Sequence, residues 1–196
     1  MNYIKLILPS VLFFLMAACS TSHLSSVERK LIKESDENVA MRVTLVSNPT
    51  DSLILRKQSH PVKKPADATI KLLAKRMYAT VNHPDHKGVG IAAPQVGINR
   101  QFILVQRFDK AEKPFEVIIN PEIIAQSDSL QRLVEGCLSI PVIREKVTRP
   151  WSVTVKYQDT TGKSITESVN GYTARIFQHE IDHLNGILFT DRLTIP

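Results

Sequence analysis

Residues 179–183 read His-Glu-Ile-Asp-His. Two histidines four positions apart lie one above the other on one face of an α-helix, close enough to reach one ion, whereas on a strand the same spacing holds them about 13 Å apart. Turn residues bound it, with Asn170-Gly171 upstream and the helix stop Asn185-Gly186 downstream. A helix is therefore predicted from about Tyr172 to Leu184. From its face both imidazoles can reach one metal ion, and Glu180, one residue on, can reach a water on that ion. The alternative is a pair of ordinary hydrogen-bonded or solvent-facing histidines. His23, His60, His83 and His86 have no such spacing and read as exposed or loop residues.

The other end of the chain carries an address. Residues 1–19 are MNYIKLILPSVLFFLMAAC, with Lys5 as a short positive region and an apolar run from Leu6 to Ala18. A bilayer span takes roughly 20 apolar residues, so this run fits a secretory signal better. Ala17-Ala18 before Cys19 resemble a bacterial lipoprotein box, in which the cysteine is lipidated and becomes the new N-terminus. The expectation is a lipoprotein anchored in the membrane through Cys19, its domain on the periplasmic side. Ser20, rather than Asp, after the cysteine favours the outer membrane. Residues 20–40 are polar and read as a tether, in which Leu24, Val27, Leu31 and Ile32 could form a short helical turn. The globular pattern starts at Met41 and gives a domain over 41–196; a product starting at Met41 would instead be cytoplasmic.

A catalytic metal usually has three protein ligands and one open position. The helix supplies two, and Cys137, in Glu135-Gly-Cys-Leu-Ser-Ile-Pro141, is the natural third. The chain has 2 cysteines, so lipidation of Cys19 would leave Cys137 a lone exported thiol. A metal-bound thiolate explains it; a buried inert cysteine is the other explanation. Gly88-Val-Gly-Ile-Ala-Ala-Pro-Gln-Val-Gly97 would let backbone approach a ligand closely, and its glycine spacing is not that of a dinucleotide fingerprint.

Between these stretches the pattern is mixed. Val43–Val46 reads as a strand or extended segment and Asn48-Pro-Thr-Asp51 as a turn. Ile70, Leu73, Met77 and Val81 fall on one helical stripe between Asp67 and His83, with Lys71, Lys75 and Arg76 off it and Tyr78 in the core. Residues 101–107 and 116–119 are β-rich, the second ended by Asn120-Pro121. Residues 152–158 and 164–169 alternate about a Gly-containing loop, as a β-hairpin does. Strands and helices are segregated, which makes the class α+β. The net charge of +6 is scattered, with no Lys/Arg block, so no nucleic-acid partner is expected.

Three stretches in this order, Gly88 to Gln95, Glu135 to Ser139 and Gln178 to Gly186, resemble the peptide deformylases, whose motifs are G-x-G-Φ-A-A-x-Q, E-G-C-L-S and Q-H-E-x-D-H-L-x-G. The similarity runs from about Met41 to the end and includes Asn120-Pro121-Glu122 and Arg144. It implies a compact α+β domain with antiparallel sheets around the metal helix, a metal-dependent hydrolase that removes the N-formyl group from N-formylmethionyl peptides and releases formate. It makes Cys137, His179 and His183 the metal ligands and Glu180 the acid/base. Gln95 and the Leu138 N–H would bond the reacting carbonyl. Gly88 and Gly90 would lie along the peptide, Val89 and Ile176 would line the methionine pocket, and Arg144 would contact the peptide further out. The family's usual metal is Fe2+, with Zn2+, Ni2+ or cobalt able to replace it, and a monomer is expected. Export sets this chain apart from relatives that trim nascent chains. A metallopeptidase sharing the His-Glu-x-x-His pattern and a non-catalytic formyl-peptide-binding lipoprotein are the rival readings.

Overall fold

A computed structural model describes residues 23–85 and 87–193. The signal-type segment with Cys19, the first residues of the expected tether, and His86 lie outside the described residues.

Strands β1 (Gly90–Ala92), β2 (Phe102–Gln106), β3 (Phe115–Gln126), β6 (Ser152–Gln158) and β7 (Ser164–Asn170) form an antiparallel sheet in the order β1-β2-β3-β6-β7. Helix α3 (Ala68–Val81) packs on one face and α4 (Gly171–Leu184) on the other. β2 shows why both faces are covered. Alternate side chains of a strand point to opposite faces. Phe102 and Leu104 join the cluster with Leu73, Met77 and Val81 of α3, while Ile103 and Val105 join the one with Ala174, Phe177 and Ile181 of α4. The β6–β7 hairpin and both long helices stand where the sequence places them.

The remaining strands, β4 (Leu130–Cys137) and β5 (Ile140–Pro150), form a separate hairpin closed by Leu138-Ser139, with Cys137 opposite Ile140. Their sequence does not alternate cleanly, because most of both strands is exposed. The thiol therefore sits at the end of a strand, beside a two-residue turn.

Several expectations are corrected. Residues 26–40 are not a free tether. Helix α1 (Ser26–Lys33), with a Ser25/Glu28 capping box, packs on α3 and buries Ile32. Its Glu28 forms a buried ion pair with Arg100 at 2.7 Å. Arg76, expected off the α3 stripe, is buried and donates to the Leu31, Ile32 and Val39 carbonyls, an interaction no periodicity reveals. Tyr78 is half exposed and meets Phe115 edge-on instead of entering the core. Asn48 is not in a simple turn but caps helix α2 (Pro49–Leu55), accepting from the Thr50 and Asp51 N–H groups. Asn120-Pro121 does not end β3. Asn120 adopts φ 52° and the register shifts before Glu122, a bulge that absorbs the proline's missing donor. Residues 43–46 form no strand, and Val46 already enters a turn; the Thr44 and Val46 N–H groups donate to the Gln95 and Ser139 carbonyls.

Candidate active site

Helix α4 is buried nearly all round, which is unusual for a segment carrying Arg175, Gln178, Glu180, Asp182 and His183. Buried polar groups need partners, and the partners found here build the site. Arg175 donates to Glu135 and to the Gln131 carbonyl, and Gln178 donates to the Pro150 carbonyl at 3.1 Å. Asp182 accepts from Arg149 at 2.7 Å and also from Arg192. The helix is thus bolted to the β4–β5 hairpin, and that contact brings Cys137 to the histidines.

The ligand atoms of Cys137, His179 and His183 all lie within 4.8 Å of one another. Cys137 Sγ is 3.3 Å from His183 Nε2. His179 Nδ1 is 2.8 Å from Glu135 Oε2, which leaves its Nε2 for the thiol side. His179 also stacks on Phe189, with ring centroids 6.0 Å apart. The other described histidines are elsewhere: His23 and His60 are exposed, and His83 pairs with Asp85.

Electrostatics suit a cation. Burial would push the Cys137 thiol up, but His183 and His179 hold it well below its usual range. Burial would pull the His179 imidazolium down, yet Cys137 and Glu135 hold it up, at about 10. Such a thiolate among imidazoles exchanges its protons for a divalent metal. Burial, with the Cys137 and Glu135 charges behind it, raises Glu180 to about 7. Glu180 Oε2 is buried without a hydrogen-bond partner, as is His183 Nδ1. A soft S/N/N donor set, a clamped imidazole and an orphaned carboxylate oxygen fit one divalent metal and its water.

The cluster lies in a groove of about 710 Å³. Gly88, Val89, Gly90, Gln95, Leu138, Arg144, Ile176 and Glu180 all line it. The Gly88–Gly97 stretch forms β1 and then a 3-10 turn. That turn buries Gln95, whose Oε1 accepts from the Ala92 N–H at 2.8 Å. The amide orientation is thereby set, and its Nε2 lies 3.4 Å from both Cys137 Sγ and Ser139 Oγ. Gly90 has no space for a side chain, since a Cβ there would lie 2.5 Å from Glu180 Oε1 and 2.7 Å from Ile176. At the helix's far end Gly186 has φ 71°, and a Cβ would lie 2.4 Å from the Arg56 carbonyl.

The polypeptide deformylase family profile matches residues 41–195. The chain belongs to the peptide deformylase family. It is a metal-dependent hydrolase acting on N-formyl groups of peptides. The Thermotoga maritima peptide deformylase is 45% identical over 141 residues, covering 72% of this chain and 82% of that protein. Its crystal structure superposes with a TM-score of 0.71 at 40% identity, over 80% of this chain and 99% of that one. The class I type b peptide deformylase of Acinetobacter baumannii, in a Met-Ala-Ser-bound crystal structure, matches with a TM-score of 0.70 at 37% identity, over 80% of this chain and 99% of that one.

Within this deformylase fold, sequence reasoning missed a supporting shell. Glu135 is 6% exposed and binds Arg149, Arg175 and His179 together, yet its motif assigns it no task. Arg149 links it to Asp182, the fourth residue of the helical pentad. The available signal was one of charge: four acidic and basic residues, Glu135, Arg149, Arg175 and Asp182, in the segments that carry the Cys and His motifs.

Proposed function

We propose that Cys137, His179 and His183 hold one divalent metal and that Glu180 is the acid/base in removing the formyl group from N-formylmethionyl peptides. The observation that carries this is the buried Glu180 oxygen with no partner, in the groove beside the three clustered donors. When bound, the metal supplies a Lewis acid that polarises a carbonyl and lowers the pKa of water. Glu180, with a pKa of about 7, suits taking a proton from water and returning it to the departing amine. The Gln95 amide, its oxygen tied to Ala92, directs its N–H donors to the developing negative oxygen. The Leu138 backbone N–H, in the hairpin turn beside Cys137, would be a second donor; such a donor is typically worth about 3–4 kcal/mol in the transition state. Gly88, Val89 and Gly90 flank the peptide backbone, Val89 and Ile176 receive the methionine side chain, and exposed Arg144 meets residues beyond it. Formate and a free N-terminal methionine leave. The metal is Fe2+ by family resemblance, and the same donors accept Zn2+, Ni2+ or cobalt. The enzyme acts as a monomer.

The test compares formyl-Met-Ala with unformylated and acetylated peptides, with metal content measured on the same sample. Release of formate in proportion to bound metal is expected. Cleavage of the Met-Ala bond, or binding without turnover, would replace this reading with one of its rivals.

The enzyme is further proposed to be a periplasmic lipoprotein anchored by acyl chains on Cys19, with the folded chain beginning before Met41. Supporting this extent, a product starting at Met41 would lose the Leu31, Ile32 and Val39 carbonyls that Arg76 binds and the Glu28 carboxylate that Arg100 binds. Palmitate labelling of wild type and Cys19→Ser, with fractionation, tests it. An unlabelled cytosolic product starting at Met41 would overturn it.

A further inference from the structure

Away from the groove, the N-terminal ends of α1 and α3 meet in a small cleft lined by His23, Arg29, Lys63, Lys64, Asp67 and Arg100, among others. Its acidic groups are already engaged. Glu28 holds Arg100, and Asp67 caps α3 by accepting from the Thr69 N–H at 2.8 Å. Lys63 and Lys64 in the cleft, and Lys30 and Lys33 in the last turn of α1, are exposed and form no ion pair with any described residue. On α1, Glu28 and Ile32 turn inward, so Val27 and Lys30 point out, and Val27 is 74% exposed. The acidic side chains of this region gather beyond the other end of α1, where Glu34 lies 3.9 Å from Arg76 and Glu37 pairs with Lys75. The end nearest the chain's start therefore carries Arg29, Lys63 and Lys64 against the single carboxylate of Asp67, with Lys30 further along α1 and exposed Val27 beside them.

The covalent geometry says what this end faces. Cys19 precedes His23 by four residues, a chain length of at most about 14 Å. We propose that the Arg29, Lys30, Lys63 and Lys64 surface docks on the anionic phospholipid headgroups of the membrane that holds Cys19. The inference rests on the lipoprotein reading and deepens it: the anchor fixes which face of the enzyme meets the bilayer. Acyl chains alone leave a domain free to swivel. A charged face beside the attachment point selects one orientation, because headgroup attraction falls off within a Debye length of about 10 Å. α3 has 14 residues and so spans about 21 Å. Its far end leads to Gly88, whose N–H donates to the Val81 carbonyl at 2.8 Å. Docking by the near end holds the groove away from the headgroups and open to soluble peptides.

The test uses the mature chain from residue 19 with Cys19→Ser, so that no acyl chain contributes. It is sedimented with vesicles of phosphatidylcholine alone and of an equal mixture with phosphatidylglycerol, at low and high salt. Binding to the anionic vesicles only, lost at high salt, is expected. Each basic residue at an anionic surface is worth about fivefold in partitioning, so Arg29→Gln, Lys30→Gln, Lys63→Gln and Lys64→Gln combined should weaken binding by up to about 600-fold. A control lacking Lys110, Lys113, Arg132 and Lys146, on the β2–β3 loop, β4 and β5, should bind as wild type does. No binding to the anionic vesicles, or equal losses in the two variants, would overturn the proposal. Formyl-Met-Ala turnover is read on the same samples and should be unchanged. Absent turnover in the parent chain would count against the deformylase roles and not against docking, and palmitate labelling in cells checks the anchor separately.

Discussion

Replacing Glu135 by Gln tests whether the site is assembled by its buried charges. Glu135 accepts from Arg149 Nε at 2.6 Å and Nη2 at 2.9 Å, from Arg175, and from His179 Nδ1 at 2.8 Å. Both arginines are about as buried as the carboxylate. Glutamine keeps the size but turns one acceptor into a donor facing these donors. It leaves Arg149 with only Asp182, which Arg192 also binds, and Arg175 with only the Gln131 carbonyl. Breaking a buried pair by removing one partner costs about 3–5 kcal/mol. For a domain of this size each kcal/mol moves Tm by about 2–4 °C, so a fall of roughly 6–20 °C is expected. A second loss is separable from the first. His179 loses the acceptor that orients its ring, and loss of such a partner typically weakens metal binding about 10- to 100-fold. Differential scanning calorimetry with and without added metal, and metal titration below Tm, read the two effects. Burial opposes the ionised Glu135, but Arg149 and His179 hold its pKa well below normal, so its contribution is present above the ordinary carboxylate range and lost as pH falls through the depressed value. The Tm gap between wild type and Glu135→Gln should therefore close towards strongly acidic pH. An unchanged Tm together with unchanged metal affinity at neutral pH would refute the idea that this carboxylate organises the helix and its ligand.

Three further outcomes follow from the same geometry. Glu180→Gln should retain metal while turnover falls about 10²- to 10⁴-fold, the range of a positioned acid/base, whereas near-normal formate release would send the proton elsewhere. Cys137→Ala should abolish metal retention by elemental analysis, because two imidazoles alone hold the ion weakly; stoichiometric metal would remove the thiolate from the site. Asp51, held at about 2 by Arg42 and the Leu45 N–H, should add about 1–2 kcal/mol above pH 4 that vanishes towards pH 2, so denaturation curves of wild type and Asp51→Asn should converge there.

The parts of this protein legible in its sequence are those with a repeating or chemically rare pattern. The α4 pentad, the α3 stripe and the β6–β7 alternation each state their own period, and the structure places them as read. The β4–β5 hairpin does not, because its exposed faces impose no alternation, although it carries Cys137. Cys137, His179 and His183 were legible one by one as candidate ligands. What aligns them was not: Glu135, Arg149, Arg175 and Asp182 lie on three elements, and only the fold shows that they share one buried charge network.

The N-terminal segment shows the opposite failure, in which a composition that is truly polar misleads. Residues 20–40 lack the apolar content of an independent unit, and a helix as short as α1 is marginal alone. It orders because α3 and the sheet supply what it lacks. Ile32 enters the core, and Glu28 and the α1 carbonyls satisfy Arg100 and Arg76, two guanidinium groups that are 2% and 1% exposed. The dependence runs both ways. Leaving those cations without the segment would cost the domain more than a dangling tether could, since buried charge without a partner is among the largest single penalties a fold can carry. Polar residues here are thus not evidence of a linker. They are the complement of buried arginines elsewhere in the chain, and that complementarity ties the end nearest Cys19 rigidly to the catalytic domain.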